Sequence, residues 1–348
     1  MSDPVLVTGG TGFLGEHVVR ELVARGDREV RVLARSTAHG LEALGARVHL
    51  GDVVPRADGA PDPALVDALK GVKQLYHLAG MVSRDARDGQ RMMRVHIDGT
   101  RAVLHAAKAA GVTRVLVSSS SGTIAVSKEP DVVADESAPY AVDLVGEWPY
   151  YLSKIYQEKL ALSLGRALGL EIVIVSPSLL LGPGDRRGSS TGDVKKFLRR
   201  EIPVVPPGGI NFVDARDAAT ATVAAMERAQ DGARYLLGGP NWTMAEFFGR
   251  LGRIAKVRPP WLKLPDRAAR WGAELMERAF RAAGREPKID RISVEMSQHF
   301  WYCDSSKAMR ELGFEPRDPA DTLNDTVRDL RRRLEWDGLG EDEGVAVG

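Results

Sequence analysis

The stretch VLVTGGTGFLG, from Val5 to Gly15, leaves this chain few folds to choose from. Val5, Leu6 and Val7 make a short buried strand, and four glycines (Gly9, Gly10, Gly12, Gly15) then fall within seven positions. The string reads both as GxxGxxG and as GxGxxG. Its glycines divide the work: one permits the tight turn, one lets backbone amides approach a pyrophosphate, one lets helix pack on strand. A glycine pattern alone says little. Between a strand and an amphipathic helix over residues 13–25 it reads as a dinucleotide site, with Gly9, Thr11, Gly12, Phe13, Leu14 and Gly15 as the cradle.

The same unit then recurs as a helical stretch, a glycine near its end and a β-branched run. Gly26, Gly45, Gly71, Gly111 and Gly169 precede apolar runs at 29–33, 47–50, 74–78, 114–117 and 171–175. A glycine just past a helix end takes the left-handed cap, so these are five helix-to-strand junctions. The pattern predicts a doubly wound parallel sheet of the Rossmann type, an α/β fold covered on both faces. From about residue 181 the texture changes to a glycine-rich loop (181–193) and a proline-rich one (202–209). Short strands are expected at 211–213 and 234–237, and helices at 215–229, 244–254, 266–283 and 322–334. Residues 1–180 thus read as a nucleotide-binding domain and 181–336 as a smaller α+β substrate-binding cap. Residues 211–229 are expected to return to the core, and 337–348, acid- and glycine-rich, read as a tail without regular structure.

Composition removes several classes of function. A formal charge of +1 over 348 residues gives no reason to expect nucleic acid or an acidic membrane as partner. The single cysteine, Cys303, allows no internal disulfide. The first strand begins within four residues of Met1, and no apolar run reaches the length of a membrane helix. A cytoplasmic enzyme is the expectation, with no metal cluster evident.

Seven tyrosines are present, but only Tyr150 has a lysine four residues later, Lys154. Pro149 opens a helix there, which puts the pair on one face. An ammonium beside a phenol favours the phenolate, so Tyr150 can exchange protons with an alcohol or a developing alkoxide. Upstream, the strand at 114–117 runs into Ser118, Ser119, Ser120 and Ser121, and hydroxyls at a strand's carboxyl end point into the ligand crevice. One of them can stabilise charge on a substrate oxygen.

In this order, glycine turn, strand-end serine and Tyr-x-x-x-Lys resemble the extended short-chain dehydrogenase/reductases, the NAD(P)-dependent epimerase/dehydratase-like group. The chain is most similar there to dihydroflavonol-reductase-like, 3β-hydroxysteroid-dehydrogenase-like and hopanoid-associated sugar-epimerase-like members. The strings GD (51–52), HLAG (77–80), PSLLLGPGD (177–185), NFVDARDAA (211–219), YLLGGPNWT (235–243) and DSSKAMRELGF (304–314) carry the resemblance along almost the whole chain. It implies Ser120 as the catalytic hydroxyl, Tyr150 as acid/base, and Lys154 as the group that lowers its pKa and holds the nicotinamide ribose. It further implies Asp52 and Val53 along the adenine, Leu78, Ala79 and Gly80 along the adenosine ribose and phosphates, and Pro177 and Ser178 beside the nicotinamide. His96 stands where such proteins commonly have asparagine. Either it takes over a role in the proton relay or it satisfies a buried backbone group. A homodimer through helices 89–110 and 150–168 is a further implication.

An acid about 20 residues past the glycines would accept bonds from a free ribose 2′-hydroxyl. No Asp or Glu occurs between Val30 and Leu41, and Arg35 and Ser36 follow the second strand. Arginine there can pair with a 2′-phosphate and stack on adenine, which favours NADP(H), with NAD(H) admissible through stacking alone. The expected chemistry interconverts a ketone and a secondary alcohol on a small, fairly apolar or ring-bearing substrate. The alternative is a nucleotide-sugar epimerase with tightly bound NAD. The predicted pocket walls are residues 81–84, 123–147 and 179–197. The cations of VKKFLRR (194–200) read as a solvated helix face, and 268–283 as a lid or cap core.

Overall fold

In the computed structural model, which describes residues 2–202, 204–260, 262–263 and 291–342, strands and helices alternate through the first half. The strands there are β1 (Ser2–Thr8), β2 (Arg28–Ala34), β3 (Arg47–Leu50), β4 (Gln74–His77), β5 (Arg114–Ser118) and β6 (Glu171–Pro177). Those that follow are β7 (Leu179–Leu181), β8 (Val204–Val205), β9 (Gly209–Asp214), β10 (Arg234–Leu237), β11 (Asn241–Thr243), β12 (Leu262–Lys263) and β13 (Phe300–Trp301). The main sheet has seven strands in the order β3-β2-β1-β4-β5-β6-β10, every neighbouring pair parallel. This is the doubly wound class that the sequence predicts.

The strands are apolar on both faces because helices bury both. Val5 and Val7 pack with Val18, Val19 and Leu22 of helix Phe13–Arg25 and with Val223 of helix Ala215–Arg228. Leu6, between them, faces the opposite layer with Leu69, Val103 and Leu104. Strands β5 and β6 repeat the alternation, with Leu116, Val173 and Val175 on one face and Val115, Val117, Ile172 and Ile174 on the other. Each fully buried side chain of this kind contributes about 1.5–3 kcal/mol. The five glycines read as helix stops all have positive φ, between 64° and 104°.

A smaller sheet orders β11-β9-β13, with β7 pairing β9. Phe197, Phe212, Phe247, Phe248 and Leu323 fill the layer between it and helices Gly192–Leu198, Met244–Ala255 and Pro319–Asp342. Two expectations need correction. Residues 234–237, read beside the cap strands, form the edge of the main sheet, because β10 pairs with β6 far from it in sequence. The last helix runs through Asp342, so residues 337–342 are helical rather than part of a tail. The stretches expected as a helix at 266–283 and as a lid at 268–283 lie outside the described residues.

Candidate active site

The strand order reverses between β1 and β4, whose following loops leave the sheet in opposite directions and open a crevice at its carboxyl edge. A cavity of about 890 Å³ occupies that place. Gly9, Thr11, Gly12, Phe13, Leu14 and Gly15 line its floor. Gly9 has φ 75°, and a Cβ on it would lie 2.5 Å from the Ala79 nitrogen; one on Gly15 would lie 2.1 Å from the Gly9 carbonyl oxygen. Only glycine lets β1, β4 and the first helix approach this closely. Gly12 is the N-cap of that helix and no side chain caps its first turn, which leaves amides for an anion.

Arg35, Asp52, Val53, Leu78, Ala79 and Gly80 line the same cavity, as do Pro177 and Ser178. The Asp52 amide donates to Asp62 Oδ2 at 3.0 Å, and Asp62 also caps helix Pro63–Ala68, so the loop after β3 is fixed from below. Among the described residues Ser178 Oγ is buried and without a hydrogen-bond partner, although it borders the cavity. An orphaned hydroxyl and an uncapped helix start on one cavity fit a ligand that carries both an anionic group and a polar head.

At the crevice centre, Ser120 caps the short turn Ser121–Thr123 after β5, on the same cavity as the Tyr150 phenol, and its hydroxyl acts to lower that phenol's pKa. Lys154 Nζ donates to the Ser118 carbonyl and to Gln157 Oε1, both at 2.9 Å. Burial pushes the Lys154 amine down to about 8, opposed by the charge of Glu158. Burial also pushes the Tyr150 phenol up to about 12, and Ser120 offsets part of the rise. Here the Lys154 ammonium is engaged by Ser118 and Gln157, and desolvation dominates at the phenol.

His96 lies on a π-helical turn, Arg94–Asp98, inserted between helices Gly89–Met93 and Gly99–Ala109. Its Nε2 accepts the Met81 amide at 3.0 Å and its Nδ1 lies 2.8 Å from Ser153 Oγ, whose own proton goes to the Tyr150 carbonyl. One neutral tautomer, protonated on Nδ1, satisfies all three bonds, and burial with the Lys154 charge holds the imidazole well below its ordinary pKa. Of the two readings of His96, the geometry matches the one in which it satisfies a buried backbone group. A second buried histidine, His77, bridges Thr8 Oγ1 at 2.8 Å and Thr100 Oγ1 at 2.9 Å. Gln157 Nε2 donates to that same Thr100 oxygen at 2.9 Å and so ties the chain of bonds to Lys154.

Beyond Tyr150 the cavity wall is aromatic. Tyr151 stacks on Trp301 with centroids 4.9 Å apart, Trp148 lies 5.6 Å from Trp301, and His299 is 5.1 Å from Trp148. Gly122 makes room for them, since a Cβ there would come within 2.3 Å of the Tyr151 ring. Residues 81–84 line the cavity as expected, and Arg84 joins that wall to helix Gly192–Leu198 by pairing with Asp193 at 2.8 Å. Among the described residues none from 123 to 147 lines it; Trp148, Tyr151, Met296, His299 and Trp301 do. These were missed because only folding brings 292–301 beside the Tyr150 helix, although the aromatic runs WPYY and HFWY mark both segments. Val194 and Phe197 of the cationic helix are buried, Lys195 is half-buried and Lys196 is exposed.

A profile of the NAD dependent epimerase/dehydratase family matches residues 5–238. Sterol demethylase protein B of Methylococcus capsulatus is 32% identical over 339 residues, covering 94% of this chain and 98% of that one. Cinnamoyl-CoA reductase 1 of Oryza sativa is 33% identical over 273 residues, covering 75% and 79%. Among solved structures, that of gox2253 superposes with a TM-score of 0.80 at 32% identity, over 95% of this chain and 99% of that one. Among the described residues no helix is long and apolar enough to cross a membrane, and no group of His, Cys, Asp and Glu is arranged to hold a metal.

Proposed function

The chain belongs to the NAD dependent epimerase/dehydratase family, and from that premise we propose that it is a reductase or dehydrogenase interconverting a ketone and a secondary alcohol on a small, fairly apolar or ring-bearing substrate. The observation that carries the reading is the convergence of Ser120, Tyr150 and Lys154 on one cavity at the switch-point crevice, beside an aromatic wall. A nicotinamide dinucleotide bound in the crevice would supply or accept the hydride.

In reduction, Ser120 and Tyr150 hold the carbonyl oxygen, and Tyr150 gives its proton to the alkoxide. A phenol pushed up to about 12 is protonated at neutral pH, as the donor role in reduction requires. Lys154 has three protons; two are spent on Ser118 and Gln157, and the third is left for a ribose hydroxyl. Arg35, free of hydrogen bonds and ion pairs among the described residues, lines the cavity with Ser36 and Thr37, which supports NADPH over NADH.

The test is a panel of aryl and alicyclic ketones with NADPH, using Tyr150→Phe as control. We expect the wild-type protein to consume NADPH with at least one ketone. The variant should lose about 10²–10⁴-fold in kcat while binding NADPH normally. Full turnover by Tyr150→Phe would refute the assignment. Stoichiometric NAD released from the purified protein, with no demand for added NADPH, would favour the sugar-epimerase alternative.

A further inference from the structure

Glu158 is buried one turn beyond Lys154 on helix Pro149–Leu168, and its two carboxylate oxygens serve different segments. Oε2 pairs with Arg234 Nη2 of the edge strand β10 at 2.6 Å and accepts the Tyr140 hydroxyl at 3.2 Å. The same Arg234 nitrogen donates to Tyr140 at 2.6 Å, and its guanidinium lies 4.8 Å from that ring's centre. Oε1 faces the serine loop instead. It accepts the Ser119 hydroxyl, and Thr123 Oγ1 sits 2.9 Å away. These two residues flank Ser120, whose carbonyl Thr123 also reaches at 2.9 Å.

We propose that Glu158 is a positioning residue, a clamp that holds the Ser119–Thr123 turn against the helix bearing Tyr150 and Lys154 and so sets the Ser120 hydroxyl against the Tyr150 phenol. The inference rests on the reading of those three residues given above. The Arg234 pair fixes the carboxylate, so the free oxygen becomes a rigid anchor rather than a mobile acceptor. Gly122, packed on Tyr151 and Trp301, closes the turn from the opposite side. Neither Ser119 nor Thr123 needs to touch substrate for the clamp to act.

Glu158 has a second effect on the same helix. Its charge counters the burial that depresses the Lys154 amine. Among the described residues, the other titratable groups that feel that amine are the imidazoles of His77 and His96, which burial and the Lys154 charge keep neutral. Without the carboxylate, Lys154 gives up its proton at lower pH.

The experiment compares the wild-type protein with Glu158→Gln and with Ser119→Ala/Thr123→Val, which spares the buried ion pair. For Glu158→Gln we expect kcat for ketone reduction to fall 10- to 100-fold, with KM for the ketone and Kd for NADPH within threefold of wild type. The alkaline limb of kcat should move to lower pH. The double variant should lose kcat alone, about tenfold, with its pH limb unmoved. In both, amide hydrogen exchange of residues 118–125 should quicken at least tenfold. Unchanged kcat in a folded double variant, or unchanged exchange in that segment, overturns the clamp. Exchange also separates the two readings: if no carbonyl compound is reduced by the wild-type protein, the proposed function fails, while the exchange result still decides the clamp.

Discussion

Tyr150 and Lys154 stand four residues apart on one helix, yet burial moves them in opposite directions, the phenol up and the amine down. Each is shifted toward its uncharged form, which is what a water-poor crevice imposes before a ligand supplies charge. Arg35 is the opposite case, an exposed guanidinium without a partner among the described residues at the cavity rim. Arg35→Asp should raise Kd for NADPH about 10- to 100-fold, the worth of one charge-assisted contact, and leave Kd for NADH within threefold. Fluorescence titration with both dinucleotides measures this, and equal weakening of the two would exclude a 2′-phosphate contact. Residues of this kind are legible in sequence because their chemistry is local: a Tyr-x-x-x-Lys spacing, a missing acid after the second strand. Glu158 is not, since a glutamate in mid-helix usually meets solvent. Its burial depends on Arg234 and Ser119, which only the folded sheet brings to it.

The first strand–turn–helix unit is the most constrained element, since three segments approach to backbone contact around Gly9 and Gly15. Gly15→Ala would force the helix off β1, at about 1–3 kcal/mol in stability, and should weaken dinucleotide binding more than tenfold. Gly249→Ala, in helix Met244–Ala255 with nothing within 4 Å of the added Cβ, serves as the control and should be neutral or slightly stabilising. Thermal unfolding and NADPH titration read both, and normal affinity in Gly15→Ala would exclude the cradle. Elements that the chain writes into its apolar periodicity match the structure closely, such as helix Phe13–Arg25 and strands β3 and β10. Their partners are less legible. Residues 234–237 read as a strand whichever sheet they join, and only pairing with β6 decides. The final helix outruns its apolar stripe because propagation, once begun, adds one hydrogen bond per residue fixed.

Across the whole molecule, the bonds from Thr8 through His77 and Thr100 to Gln157 and Lys154 join two strands of the sheet to two helices. Burial lowers His77 to about 3, with the Lys154 charge adding to the shift. The unfolded chain takes up a proton near 6.5 that the native state refuses until about 3, so this group's stability is present above pH 6.5 and lost as pH falls toward 3. The loss should reach about 2–3 kcal/mol by pH 4.5, and His77→Asn should flatten that dependence, as measured by urea unfolding at pH 8 and pH 4.5. An unaltered slope in the variant would exclude His77 as its source. At this scale the fold class and the crevice were legible from the order of the motifs. The far wall was not, because residues 292–301 reach Tyr151 only through the second sheet. Under the proposed function, that separation lets substitutions at Trp301, Met296 and Ile292 reshape the acceptor's seat while the Tyr150 helix, far upstream in the chain, keeps its sequence.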